Sequence, residues 1–146
     1  MMRVIDASIA AAWFLPDEQD DAADRLMADL GSTPGVVPSL FWFETRNLFL
    51  MAERRGRLEQ GGAALSMAQL RRLPLHDDGA GNDALVLAIA TRRALSGYDA
   101  SYLALAAQRS IPLATADRRM ADAATLEGVA VLGPHGASAT PLTQKP

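Results

Sequence analysis

Short apolar runs punctuate the chain and alternate with longer stretches in which apolar residues recur at helical spacing. Val4-Ile5 marks a first strand over residues 2–5, and residues 8–15 read as a helix closed by Pro16. Residues 17–30 read as a second helix; Asp17, Glu18, Asp20 and Asp21 crowd its positive end and Gly31 stops it. Gly35, Val36 and Val37 form a strand that stops at Pro38, after which Ser39 is the expected N-cap of a long helix ending near Arg55-Gly56. A helix over residues 58–73 is broken by Pro74, and Leu75-His76 form a brief strand before the loop Asp77-Asp78-Gly79. Residues 83–95 are helical up to the Ser96-Gly97 punctuation, and Asp99 starts a further helix over residues 100–109. Residues 111–115 predict a strand, 118–124 a short helix and 129–132 a last strand; from Gly133 the chain is rich in Pro, Ser and Thr and reads as an unstructured tail.

Strands this short and apolar, separated by helices, predict an α/β fold: a mainly parallel central sheet of four to five strands with helices on both faces. The length of 146 residues fits one domain that buries its core without staples. An apolar fraction of 49% against 21% charged residues excludes a disordered chain. The chain has no cysteine, which removes disulfides, thiolate metal sites and a Cys nucleophile and suits a reducing cytoplasm. His76 and His135, the two histidines, are too few for a histidine-based zinc site. No uncharged run is long enough to span a bilayer, and the apolar start is interrupted at Asp6, so neither a membrane helix nor a signal peptide is expected.

The formal net charge of −3 gives no global footprint for nucleic acid. Of the 14 basic residues, however, all but Lys145 are arginine, grouped at Arg54-Arg55-Gly56-Arg57, Arg71-Arg72, Arg92-Arg93 and Arg118-Arg119. Local phosphate-binding patches therefore remain open, although a GC-rich coding sequence is the better explanation of most of these arginines. The aromatic groups Trp13-Phe14 and Phe41-Trp42-Phe43 read as core or interface packing before base-stacking platforms.

The chemistry lies in four acids. Sites in open parallel sheets form beyond the carboxyl ends of the strands, where the strand order reverses. Asp6 follows the first strand and Asp117 the strand over 111–115; if these strands are neighbours, the two carboxylates meet. Asp99 at a helix start and Glu44 near the front of the long helix can face the same end. Four such carboxylates would repel one another, and a hard divalent cation, Mg²⁺ or Mn²⁺, would resolve the conflict. Taken singly, each is as well explained: Asp6, Asp99 and Asp117 as helix caps, Glu44 as a solvated helix residue. Spacing alone leaves the two readings level.

A resemblance tips the balance. Val4-Ile5-Asp6-Ala7-Ser8, Pro38-Ser39-Leu40 with Glu44, the run from Leu95-Ser96-Gly97-Tyr98-Asp99 through Ala106, and Leu113-Ala114-Thr115-Ala116-Asp117-Arg118-Arg119-Met120 together resemble the PIN-domain ribonucleases, most of all the VapC toxins of bacterial toxin–antitoxin pairs. The D-x-S opening is weak alone, but the ordered set is specific and covers the chain to about Leu132. The resemblance implies a three-layer α/β/α domain over residues 1–132, followed by a flexible tail over residues 133–146. It implies cleavage of RNA with Mg²⁺ or Mn²⁺ by Asp6, Glu44, Asp99 and Asp117 as catalytic and metal-binding acids. Ser8 and Thr115 match the family's supporting hydroxyl positions, and Arg118 or Arg119 is a candidate RNA contact. Many family members carry a further acid or Asn just after the fourth acid; Arg118-Arg119 stand there instead, and Asp122 lies too far along the helix to replace it. The resemblance also implies a VapB-like antitoxin partner, seated in a groove to which the aromatic groups would contribute, and a homodimer. A response-regulator phosphoacceptor is disfavoured, because Asp6 lacks an acidic neighbour and Lys145 is the only lysine. A catalytically inactive PIN-like module that binds RNA or a partner is the remaining alternative.

Overall fold

The computed structural model describes residues 1–136 and shows a parallel sheet covered by helices on both faces, a three-layer α/β/α arrangement. In chain order the elements are β1 (Arg3–Ile5), α1 (Ala7–Phe14), a 3₁₀ turn (Pro16–Glu18), α2 (Asp21–Asp29), β2 (Gly35–Val37), α3 (Leu40–Arg54) and α4 (Gly62–Leu70). They continue with β3 (Leu75–Asp77), α5 (Asp83–Arg93), α6 (Gly97–Arg109), β4 (Leu113–Ala114), α7 (Arg118–Leu126) and β5 (Val131–Leu132). The strand order is β3-β2-β1-β4-β5, with every described pairing parallel. β1 lies at the centre, with Val4 in register with Val36 on one side and Leu113 on the other. The chain first builds outward through β2 and β3, then crosses back to place β4 against β1. The strand order therefore reverses at the β1–β4 seam.

The central strands are continuous apolar runs because both faces are covered: Val4, Ile5, Val36, Val37, Leu113 and Ala114 are all fully buried. Phe41, Phe49 and Tyr102, from α3 and α6, fill the widest part of the core. Small residues on α1 (Ala10, Ala11, Ala12) and α6 (Ala100, Ala104, Ala106) allow these helices to lie close on the sheet. Gly35 is required for this fit, since a Cβ there would come within 2.8 Å of Ile5 Cγ1 and 2.9 Å of Leu75 Cδ2.

Several expected boundaries are corrected. The helix expected over residues 17–30 is divided: Pro16–Glu18 is one 3₁₀ turn, and α2 starts at Asp21 with Asp20 as its cap, Oδ2 accepting from the Ala23 N–H at 3.0 Å. Asp17 and Glu18 do not sit on the dipole; both bind Arg57, Asp17 through a two-pronged contact at 2.9 and 3.0 Å. The helix expected over residues 58–73 shortens to α4, because Gly61 takes φ +87 and Glu53 accepts from the N–H groups of Gly61 and Ala63, capping α4 from α3. Ser39 is not a side-chain cap; its backbone is already helical and its hydroxyl donates to Asp77 Oδ1 at 2.8 Å. Of the segment read as tail, residues 133–136 are described, and residues 137–146 lie outside the described residues.

The aromatic groups divide. Phe14 packs edge-on against Phe49, Phe41 is fully buried, and Trp13 donates its Nε1–H to the Ala23 carbonyl at 2.7 Å. Phe43 is 59% exposed and stands apart from the core. Among the described residues no helix is long and apolar enough to cross a membrane.

Candidate active site

Asp6 is the last residue before α1, directly beyond the carboxyl end of β1, and Thr115 and Asp117 occupy the equivalent place beyond β4. Because β1 and β4 are neighbours, the seam brings all three together. Asp6 is 5% exposed and Thr115 is fully buried. Asp6 Oδ2 accepts two hydroxyl hydrogen bonds, from Thr115 Oγ1 at 2.6 Å and from Ser8 Oγ at 2.9 Å. Each hydroxyl is itself oriented by a backbone N–H: Ala116 donates to Ser8 Oγ at 2.8 Å and Asp117 to Thr115 Oγ1 at 3.0 Å. A hydroxyl has one hydrogen. With both hydrogens directed to Asp6, the 3.2 Å approach of Ser8 Oγ to Thr115 Oγ1 is a close contact rather than a further bond. Asp6 Oδ1 keeps only the 3.5 Å contact from the Ser8 N–H, the weak remnant of a helix cap, and so is the oxygen with lone pairs to spare.

Glu44 lies in the second turn of α3, half-buried. Its Oε1 accepts from the Tyr102 hydroxyl at 2.6 Å, and Tyr102 is itself fully buried. Tyr102 sits three residues after Asp99 on α6, so the two share a helix face. The sequence gives Tyr102 no role beyond its place in the run after Asp99; its partner is visible only in the folded chain, where its hydroxyl reaches Glu44 across from α6 to α3. Asp99 does not start its helix as expected. Ser96 is the cap, its hydroxyl accepting from the Asp99 N–H at 3.0 Å, and Asp99 lies in the first turn of α6. Asp117 does cap α7, its Oδ1 accepting from the N–H groups of Arg119 at 2.9 Å and Met120 at 3.3 Å.

Asp6, Glu44, Asp99 and Asp117 line one open cleft of about 320 Å³, together with Ser8, Asn47, Ala7 and Leu48. Asn47, one turn beyond Glu44, is a lining residue that sequence reading did not single out. Burial pushes the Asp6 carboxyl up to about 6 against the pull of its two hydroxyl bonds, with Asp99 adding repulsion. Glu44 is raised first by burial and then by Asp99, while the Tyr102 bond works the other way. Asp99 is raised by burial and by Asp117, and eased by Arg119. The cleft thus concentrates negative charge that the protein itself leaves only partly balanced.

The donor set fits a hard divalent cation: it is all oxygen, with one lone-pair-rich oxygen on Asp6 and no sulfur or imidazole. Among the described residues no three acids or histidines stand close enough to form a ready-made chelate.

The two arginines beyond Asp117 have different surroundings. Both are exposed, but Arg119 Nη2 donates to the Ala94 carbonyl at 2.6 Å, reaching from α7 to the end of α5. Asp122 lines a separate cleft with Arg92, Arg93 and Arg119, away from the four acids.

A family model described as the PIN domain matches residues 3–126. The chain is 30% identical over 127 residues to Ribonuclease VapC3 of Pyrobaculum aerophilum, the match covering 84% of this chain and 94% of that protein. The crystal structure of PAE2754 from Pyrobaculum aerophilum superposes with a TM-score of 0.67 at 23% identity, over 90% of this chain and 92% of the other, a likeness of fold.

Proposed function

The chain belongs to the PIN-domain family, and on that premise we propose that it is a Mg²⁺- or Mn²⁺-dependent endoribonuclease acting as the toxin of a VapBC-type toxin–antitoxin pair. The observation that carries the reading is the convergence of Asp6, Glu44, Asp99 and Asp117 on one cleft at the seam where the strand order reverses. The name of the relative Ribonuclease VapC3 supports both the reaction and the toxin assignment.

When bound, the divalent ion supplies charge neutralisation at the phosphodiester and activation of the attacking water. The chain's own residues do the rest. Asp6 and Asp99 are the principal ligands, direct or through water, and Glu44 and Asp117 complete the acidic pocket. Ser8 and Thr115 fix Asp6 Oδ2 and thereby aim Oδ1. Tyr102 does the same for Glu44, holding one oxygen by a hydrogen bond and leaving the other toward the cleft. Asp117 is already committed to capping α7 through Oδ1, which suits it to a water-mediated role through Oδ2. Arg118, exposed beside this pocket, holds the RNA backbone; Arg119 is tied to α5 and shapes the field at Asp99.

The partner of this reading is a VapB-like antitoxin, with RNA as substrate and a homodimer as the working assembly in the cytoplasm. The second reading is an inactive PIN-like module that binds RNA or a partner, and the lack of a ready-made chelate among the described acids is the observation in its favour. One assay separates them. Asp6→Ala and Asp99→Ala should each abolish Mg²⁺-dependent RNA cleavage while the far-ultraviolet circular dichroism stays that of the parent. A parent chain that leaves RNA intact, or both variants cleaving at the parental rate, would sink the nuclease reading.

A further inference from the structure

Beside the acidic cleft lies a second, of about 410 Å³, walled by Phe43 and Leu40 of α3 and Tyr98 of α6, with Glu44 and Asn47 in its floor. Glu44 and Asn47 line both clefts, so the two adjoin at these residues. Phe43 is 59% exposed and Tyr98 66%, although every other aromatic ring in the described chain is buried or half-buried. The two rings leave apolar surface in water at the mouth of a polar cleft. The guanidinium of Arg46 lies 5.2 Å from the centre of the Phe43 ring, and among the described residues it pairs with no carboxylate. It lies over the ring, and more than half of the Phe43 surface remains open to solvent.

We propose that this cleft is a nucleobase subsite, in which Phe43 and Tyr98 stack a base of single-stranded RNA next to the phosphodiester presented to the four acids. The inference rests on the nuclease reading above and extends it to how the substrate strand is held. Stacking on aromatic rings suits an unpaired strand of any sequence, because every base has a π-face. Arg46 supplies a cation for the adjoining phosphate, and the Asn47 amide a donor and an acceptor for a base edge. A second copy of the chain fits less well: capping these rings would set an apolar partner against the half-buried charge of Glu44 and the Asn47 amide.

The test uses the full-length chain in EDTA and a short 2′-O-methyl RNA carrying one 2-aminopurine, whose emission falls when the base stacks. The parent chain should quench it strongly. Phe43→Leu and Tyr98→Leu, which keep apolar bulk but remove the π-face, should restore most of the emission and raise KM for RNA cleavage about tenfold, with a smaller effect on kcat. Leu126→Ala, at an exposed position lining a different cleft, should quench as the parent does. Undiminished quenching by both leucine variants overturns the subsite. So does a change of sedimentation from dimer to monomer in either variant, which would give the rings to a second copy. A parent that quenches the oligonucleotide but cleaves no RNA supports the subsite and overturns the nuclease reading alone; a parent that cleaves without quenching does the reverse.

Discussion

Asp6 is held in a position that costs stability, which the proposed chemistry would explain. Its carboxyl is buried and pushed up to about 6 from an ordinary 3.8. Between those values the folded chain holds a proton that the unfolded chain releases, so the Asp6 contribution to stability falls as pH rises from about 4 to about 6, then stays flat. Asp6→Asn removes the buried charge while keeping an oxygen to accept from Thr115. In EDTA at neutral pH it should be more stable than the parent by about 1–3 kcal/mol in urea denaturation, a gap that closes as pH falls toward 4, and it should cleave nothing. A gap independent of pH would place the effect elsewhere. Tyr102 presents the opposite case, a buried hydroxyl whose described partner is Glu44. Tyr102→Phe should cost about 1–2 kcal/mol in the same denaturation and weaken Mn²⁺ binding measured by calorimetry, because Glu44 loses its orientation. The Tyr102 contact was not legible in the sequence, and Asp6 was singled out there only through the family resemblance. An aspartate after an apolar pair looks the same as a cap or as a ligand, and here Asp6 keeps only a weak 3.5 Å capping contact.

At the scale of elements, periodicity located every helix and every strand, but it misjudged their ends wherever a distant side chain set the boundary. Glu53 of α3 caps α4, Arg57 draws Asp17 and Glu18 away from the start of α2, and Asp77 captures the Ser39 hydroxyl. The last two join residues 40 and 38 apart and the first residues 10 apart across a helix–helix turn, and no local propensity encodes them. The Asp99 boundary is different: Ser96 three residues before an acid is a visible capping signal that was read as punctuation. One junction ties an element to the chemistry. Gly133, at φ +112 after β5, sits where a Cβ would come within 2.5 Å of the Thr115 carbonyl oxygen. Gly133→Ala should therefore displace the strand end that carries the Thr115 hydroxyl. The expected result is a loss of about 2 kcal/mol or more in thermal denaturation, together with a fall in cleavage rate larger than the lost folded fraction accounts for.

For the molecule as a whole, if the four acids hold a divalent ion as proposed, the repulsion that Asp99 shares with Asp6, Glu44 and Asp117 is relieved by that ion only in the folded state. Mn²⁺ should raise the midpoint of thermal unfolding of the parent in a concentration-dependent way, while Asp99→Ala should show little or none of this rise. A rise of equal size in both would assign it to ions bound elsewhere on the surface.

The sequence by itself determined the architecture. Apolar runs too short for helices, spaced by helical segments, admit little besides a parallel sheet covered on both faces, and the ordered acidic motifs resemble one nuclease family throughout. Only the tertiary structure decided that β4 lies against β1, so that Asp6 and Asp117 line one cleft, and that the Tyr102 hydroxyl of α6 reaches Glu44 of α3. It alone separated Phe41, in the core, from Phe43, at the mouth of a cleft. The reason is physical. Periodicity reports which face of an element avoids water, whereas the distance between two carboxylates depends on which elements become neighbours, a choice made by the packing of the whole chain.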